Sequence, residues 1–181
     1  MEEYAVLWEK FMQEEEGEIR QILRRFLLMC RGLRHSDTIE LSQQHYFQIT
    51  DPKTKKVYHY LAKPAQKSNK IGIVPLLRTD VEYLLEWQPN GRLFADQDYG
   101  SFYKKFKQIS LDLIGREITS HYGRHFAGDF IVNADEMEGL QDVQKILGVS
   151  SDRIAEVYAQ RDILKVLQKF EAAVANIKSN S

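Results

Sequence analysis

Ile19, Ile22, Leu23, Phe26, Leu27 and Cys30 recur at the three- and four-residue spacing of one helical face, with Arg20, Gln21, Arg24 and Arg25 between them. This predicts an amphipathic helix with those polar residues towards solvent, ended by Gly32. Ser36 is placed to cap a short helix running to Leu41. The period then changes. HYFQIT, KVYHYLA and KIGIVPL read as strands, the first two joined by the turn DPKTK. They predict a small three-stranded antiparallel sheet.

Helical spacing returns in RTDVEYLLEW, which is followed by the loop QPNGRLFADQ. Phe102, Phe106, Ile109 and Leu113 stripe the next helix, with Lys104, Lys105 and Lys107 off the stripe. TSHYGRHFAGDFIV opens on the capping residues Thr119 and Ser120. LQDVQKILG and SDRIAEVYAQ read as a tight helical pair, broken between them by a Val-Ser-Ser stretch. Ile163, Val166, Leu167, Phe170, Val174 and Ile177 mark a final helix over about residues 162–177. The order of helices, small sheet and helices predicts a single α+β domain, mainly helical, over residues 1–181.

Composition adds limits. A chain of 181 residues with 43% hydrophobic and 28% charged positions can build a substantial core. The first thirty residues carry charges throughout, so neither a signal peptide nor a membrane span is expected. The single cysteine, Cys30, has no partner for an internal disulfide, which points to a reducing cytoplasm. Net charge is -1, yet the charge is segregated. Residues 2–18 hold seven glutamates and one lysine, whereas 52–72 hold six lysines and no acid. A solvated lysine-rich hairpin and a basic binding face both fit this pattern.

Several residues could carry chemistry. His121 and Arg124, three apart on a helix, share a face and together suit a phosphate. A surface His-Arg pair fits equally, whereas a metal pair from His121 and His125 lacks accompanying acid or cysteine ligands. Arg34 follows a helix end, and Asp37 could orient its guanidinium or simply pair with it. Lys67 falls at a probable hairpin tip, where a lysine ordinarily solvates a turn. Tyr158 is a packing residue or a nucleophile, and its own neighbourhood does not decide which.

Taken together, CRGLRHSDTIEL, QKSNKIGIVPL, SHYGRHFAG and ILGVSSDRIAEVY resemble, in order and spacing, the motifs of the tyrosine recombinase (phage integrase) family. The resemblance runs over essentially the whole chain. It implies the DNA breaking-rejoining catalytic fold, with Tyr158 as nucleophile and Arg34, Lys67, His121 and Arg124 around the scissile phosphate. Lys63, Lys70, Lys104 and Lys105 are the expected DNA-backbone contacts. It also implies double-stranded DNA as substrate, other recombinase subunits as partners on DNA, and no metal or cofactor. The final helix is expected to be mobile or to dock on a neighbouring subunit. The family's N-terminal core-binding domain has no counterpart in these residues, so the catalytic domain alone is expected.

One position departs from the pattern. Val149 stands where the family usually has His or Trp, and valine donates no hydrogen bond. A recombinase-like DNA-binding module with attenuated or lost cleavage therefore stands beside the active enzyme. A type IB topoisomerase shares the chemistry, but the Leu-Gly-x-Ser-Ser motif favours the recombinase side.

Overall fold

The computed structural model describes residues 2–64, 70–95, 98–123, 125–126, 149–150 and 160–179. Its helices are α1 (Glu2–Gln13), α2 (Glu18–Met29), α3 (His35–Glu40), α4 (Arg78–Leu84), α5 (Tyr99–Ile114) and α6 (Gln160–Ser179). Its strands are β1 (Tyr46–Thr50), β2 (Val57–Pro64), β3 (Lys70–Leu76) and β4 (Val149–Ser150). The α+β composition is as expected.

The sheet runs in the order β1-β2-β3-β4 with every neighbouring pair antiparallel. Three of these strands were expected from the β-like stretches HYFQIT, KVYHYLA and KIGIVPL. The fourth is two residues long, too short for any period, and pairs Val149 with Ile71 and Ser150 with Lys70. The stretch predicted as a break between helices therefore begins as a sheet edge.

Each face of the sheet is covered. Leu61, Val74 and Leu76 face the main core, where α2 supplies Leu23, Phe26, Leu27 and Leu28 and α5 supplies Phe102 and Phe106. Phe26 stacks on Phe106 with ring centroids 3.9 Å apart. Ile49, Tyr58 and Ile73 point the other way and are covered by Ile163 and Leu167 of α6. The final helix therefore lies on the chain's own sheet, where Lys56 pairs with Glu171 and Gln168 donates to Asp51. Its Val166, Phe170 and Val174 reach the main core as well.

α2 departs from its predicted faces. Arg24 and Arg25 are each only 2% exposed. The loop after α4 folds over them and turns its carbonyls inward. Arg24 donates to the carbonyls of Leu84, Glu86 and Leu93, and Arg25 to that of Ala95. Both guanidinium groups also lie over the Phe94 ring. Those donors satisfy loop carbonyls that would otherwise be buried unpaired. Ile19, by contrast, is exposed.

α1 was not legible beneath its glutamates, yet Leu7 and Phe11 are fully buried. No helix among the described residues is long and apolar enough to cross a membrane.

Candidate functional site

The turn carrying Arg34 begins where α2 ends. Cys30 N–H still bonds back to Phe26, whereas Arg31 N–H reaches Leu28 and Gly32 N–H reaches Met29, tightening the last turn. Gly32 then takes φ 107°, a left-handed conformation that favours glycine, and the chain reverses. Leu33 is buried, and half-buried Arg34 occupies the N-cap position of α3.

Asp37 braces the main chain beside Arg34. Its Oδ2 accepts from the backbone N–H of Arg34 at 2.9 Å, the reach-back of a third-position capping residue. The carboxylate thus fixes the main chain at Arg34. Ser36, the expected cap, lies inside α3.

His121 lies beyond the end of α5. Gly115 closes that helix at φ 77°, its N–H bonding Leu111, and Ser110 Oγ then accepts from the N–H of Ile118 at 3.0 Å. The next turn is closed by Tyr122 N–H to Thr119 and Gly123 N–H to Ser120. His121 is exposed on this turn, while Ser120 and Phe126 beside it are buried. Arg116 holds the turn from outside, paired with Glu3 and donating to the Tyr122 hydroxyl.

Two contacts join these turns. The first is backbone to backbone. A Cβ on Gly123 would stand 3.2 Å from the Met29 carbonyl carbon and 3.3 Å from Cys30 N. A side chain at 123 would press on that main chain more tightly than ordinary packing, so a glycine there lets the turn following His121 sit closely on the end of α2. The second runs through side chains. The Tyr99 hydroxyl bonds Ser120 Oγ at 2.8 Å, and its ring meets His35 edge-on at 5.1 Å.

Gly123→Ala should destabilise the fold by about 1–3 kcal/mol, because main-chain atoms at the end of α2 cannot rotate out of the way. That overpacking should outweigh the ~1 kcal/mol alanine gains over glycine in a helix. Denaturant midpoints of the two proteins give the comparison; an equal or higher midpoint for alanine would mean that the contact is slack.

His35 is the electrostatic oddity of the corner. Burial, and then the Arg25 guanidinium whose Nη1 lies 3.4 Å from its Nε2, push its pKa down to about 4, with Asp98 pulling weakly the other way. The folded protein therefore refuses a proton that the unfolded chain accepts below about pH 6.5. This part of the stability is complete above pH 6.5 and is lost as pH falls through about 4. His35→Phe should flatten that limb of a stability-against-pH curve. His59, whose pKa burial also lowers, keeps its own share. An unchanged slope in the variant would show that His35 does not titrate in this way.

The remaining sequence-derived residues divide. Lys67, Arg124 and Tyr158 lie outside the described residues. Lys63 and Lys70 sit on β2 and β3, with Lys63 opposite Gly72 and Lys70 opposite Ser150. Lys104 is exposed on α5. Lys105, expected to face a DNA phosphate, is paired in this structure with the exposed Glu18 at the start of α2. Among the described residues no three His, Cys, Asp or Glu side chains gather as a metal site would need.

Sequence reasoning missed Tyr99, His35 and Gly123. The only local hint was a glycine between His121 and Arg124, where a helix gains nothing from one. No family model, curated protein or solved structure matches the chain.

Proposed function

We propose that the chain is a tyrosine recombinase catalytic domain that cuts and rejoins double-stranded DNA through a 3′-phosphotyrosyl intermediate at Tyr158. The observation that carries this reading is the seat of Gly123 on the end of α2. Two motifs far apart in sequence, RGLRHSD and SHYGRH, are drawn to one corner, with His121 exposed there and Arg34 half-buried. A second support is the β3–β4 pair, from which both the hairpin of Lys67 and the segment leading to Tyr158 depart.

In this reading the Tyr158 hydroxyl attacks a DNA phosphorus and its proton passes to His121. The tyrosyl–phosphorus bond forms as the bond to the 5′-oxygen breaks, and Lys67 gives that oxygen a proton. Arg34 and Arg124 stabilise the charge gathering on the nonbridging oxygens. The cap from Asp37 to the main chain of Arg34 is a way of preorganising one of these two cations. Lys63, Lys70 and Lys104 would contact backbone phosphates. Lys105 would join them only by leaving Glu18. Assembly with other subunits on DNA, and action in the cytoplasm, belong to the same proposal.

A DNA-binding module with attenuated cleavage is the second reading, and the specific observation favouring it is Val149, whose side chain offers no donor. One experiment separates them. The protein is incubated with nicked duplexes of randomised sequence, and covalent complexes are recovered under denaturing conditions. A DNA 3′-end mapped to Tyr158 supports the enzyme. DNA retention without any covalent complex favours the module, and neither outcome would leave both readings unsupported.

A further inference from the structure

We propose that Tyr99 is a positioning residue that holds the His121 turn against the Arg34 turn; this rests on the reading of Arg34 and His121 as phosphate ligands. Tyr99 is the first residue of α5, and it touches the chain neighbour of each ligand. Its hydroxyl bonds Ser120, which precedes His121, at 2.8 Å. Its ring meets His35, which follows Arg34, at 5.1 Å and 70°.

Both ends of this strut are fixed. His35 packs on Phe102, centroids 4.7 Å apart, and has Arg25 Nη1 3.4 Å from its Nε2. Arg25 is in turn held by the Ala95 carbonyl at 2.8 Å. Asp98, just before Tyr99, accepts from Ser101 N–H at 3.0 Å and pins the start of α5. Ser120 is only 4% exposed. A buried serine hydroxyl bonded to a tyrosine has a narrow choice of geometries, so the turn inherits the position of Tyr99.

A purely structural tyrosine would leave the ligands indifferent to its hydroxyl. A positioning tyrosine predicts that removing either end of the Tyr99–Ser120 bond disturbs His121 in the same way. The probe is inorganic phosphate, titrated into the full chain and into Tyr99→Phe, Ser120→Ala and the double variant. Binding is followed by NMR at the Arg34 amide and the His121 imidazole, with the His59 imidazole on β2 as internal control. Tyr99→Phe keeps the ring on His35, so only the hydroxyl is tested.

The wild-type chain should show saturable shifts at both residues. Each single variant should weaken phosphate by about two- to tenfold, the range for one lost hydrogen bond. The double variant should be no weaker than either single one, and His59 should not move. Equal affinity in wild type and Tyr99→Phe would overturn the positioning role while sparing the phosphate site. No phosphate response at Arg34 or His121 in wild type would overturn the phosphate-ligand reading itself. The role of Tyr99 would then be judged by the His121 titration curve alone. Coincident, non-additive displacements in the two single variants sustain it, and independent ones overturn it.

Discussion

Asp80→Ala is expected to lower the unfolding free energy by about 3–5 kcal/mol, the loss that follows when one partner of a buried ion pair is removed. Asp80 is fully buried and performs two tasks. Its carboxylate accepts from Arg31 Nε at 2.8 Å and Nη2 at 3.0 Å, and from Leu77 N–H at 2.8 Å. Arg31 is itself buried, bonds the Tyr4 hydroxyl, and lies over the rings of Tyr4 and Phe170. Alanine would leave a guanidinium in that apolar setting without its counter-charge and would also remove the cap of α4. Asp80→Asn tests the charge alone, since an amide oxygen in place of Oδ2 can still accept from both Leu77 N–H and Arg31 Nε. Asparagine should therefore recover the capping share, about 1 kcal/mol, and a neutral bond to Arg31, but not the counter-charge. Equilibrium denaturation measures both variants. A loss below about 1 kcal/mol for alanine would mean that water or a neighbouring group takes over from the carboxylate.

The Arg31–Asp80 pair also shows what the sequence could not disclose. It joins the turn after α2 to α1, α4 and α6, and no local spacing reports which arginine a distant aspartate will meet. Arg24 and Arg25 were misjudged for the same reason. Their spacing on α2 is that of a solvated face, and burial is made tolerable by partners that spacing does not reveal, among them the carbonyls of Leu84, Glu86, Leu93 and Ala95. The strands, by contrast, were legible as short β-rich stretches bounded by turn signals, and neighbours such as Ile73 and Val74 are both apolar because the sheet is covered on both faces. The stripe of α5 was legible because Phe102 and Phe106 face one core.

At the site, Arg34 and His121 were visible as motif residues, and the described residues bring their turns together. How the turns meet was hidden. Gly123 matters through an approach to Met29 that arises only once the chain has folded back, and Tyr99 looked like one more aromatic at a helix start. Asp37 was noticed for its spacing from Arg34, but spacing alone does not distinguish a guanidinium partner from a backbone cap.

Tyr158→Phe should abolish covalent capture of DNA while leaving duplex affinity within about twofold, since phosphate contacts from lysine and arginine supply most of that affinity. The substitution removes one oxygen and keeps the aromatic ring. If that oxygen is the nucleophile, no residual tyrosyl ester can form, and the loss should resemble the ~10⁶-fold effect of deleting an enzyme nucleophile. The nearest rival hydroxyls in the chain are Ser150 and Ser151. Serine would need activation of a much weaker acid than phenol, whose pKa is ~10. A cationic cluster of the kind proposed around Arg34 and Arg124 favours the phenolate, which gives tyrosine the advantage there. The comparison is made with one nicked duplex, recovered from the randomised pool by the wild-type protein. Covalent complexes are counted under denaturing conditions, and binding is measured in the same buffer at several salt concentrations. An adduct that persists in Tyr158→Phe would move the nucleophile to another residue and dissolve the assignment of the motif. Loss of binding together with the adduct would instead make Tyr158 a DNA-contacting residue, because an oxygen used only in chemistry cannot change the affinity of the uncleaved duplex.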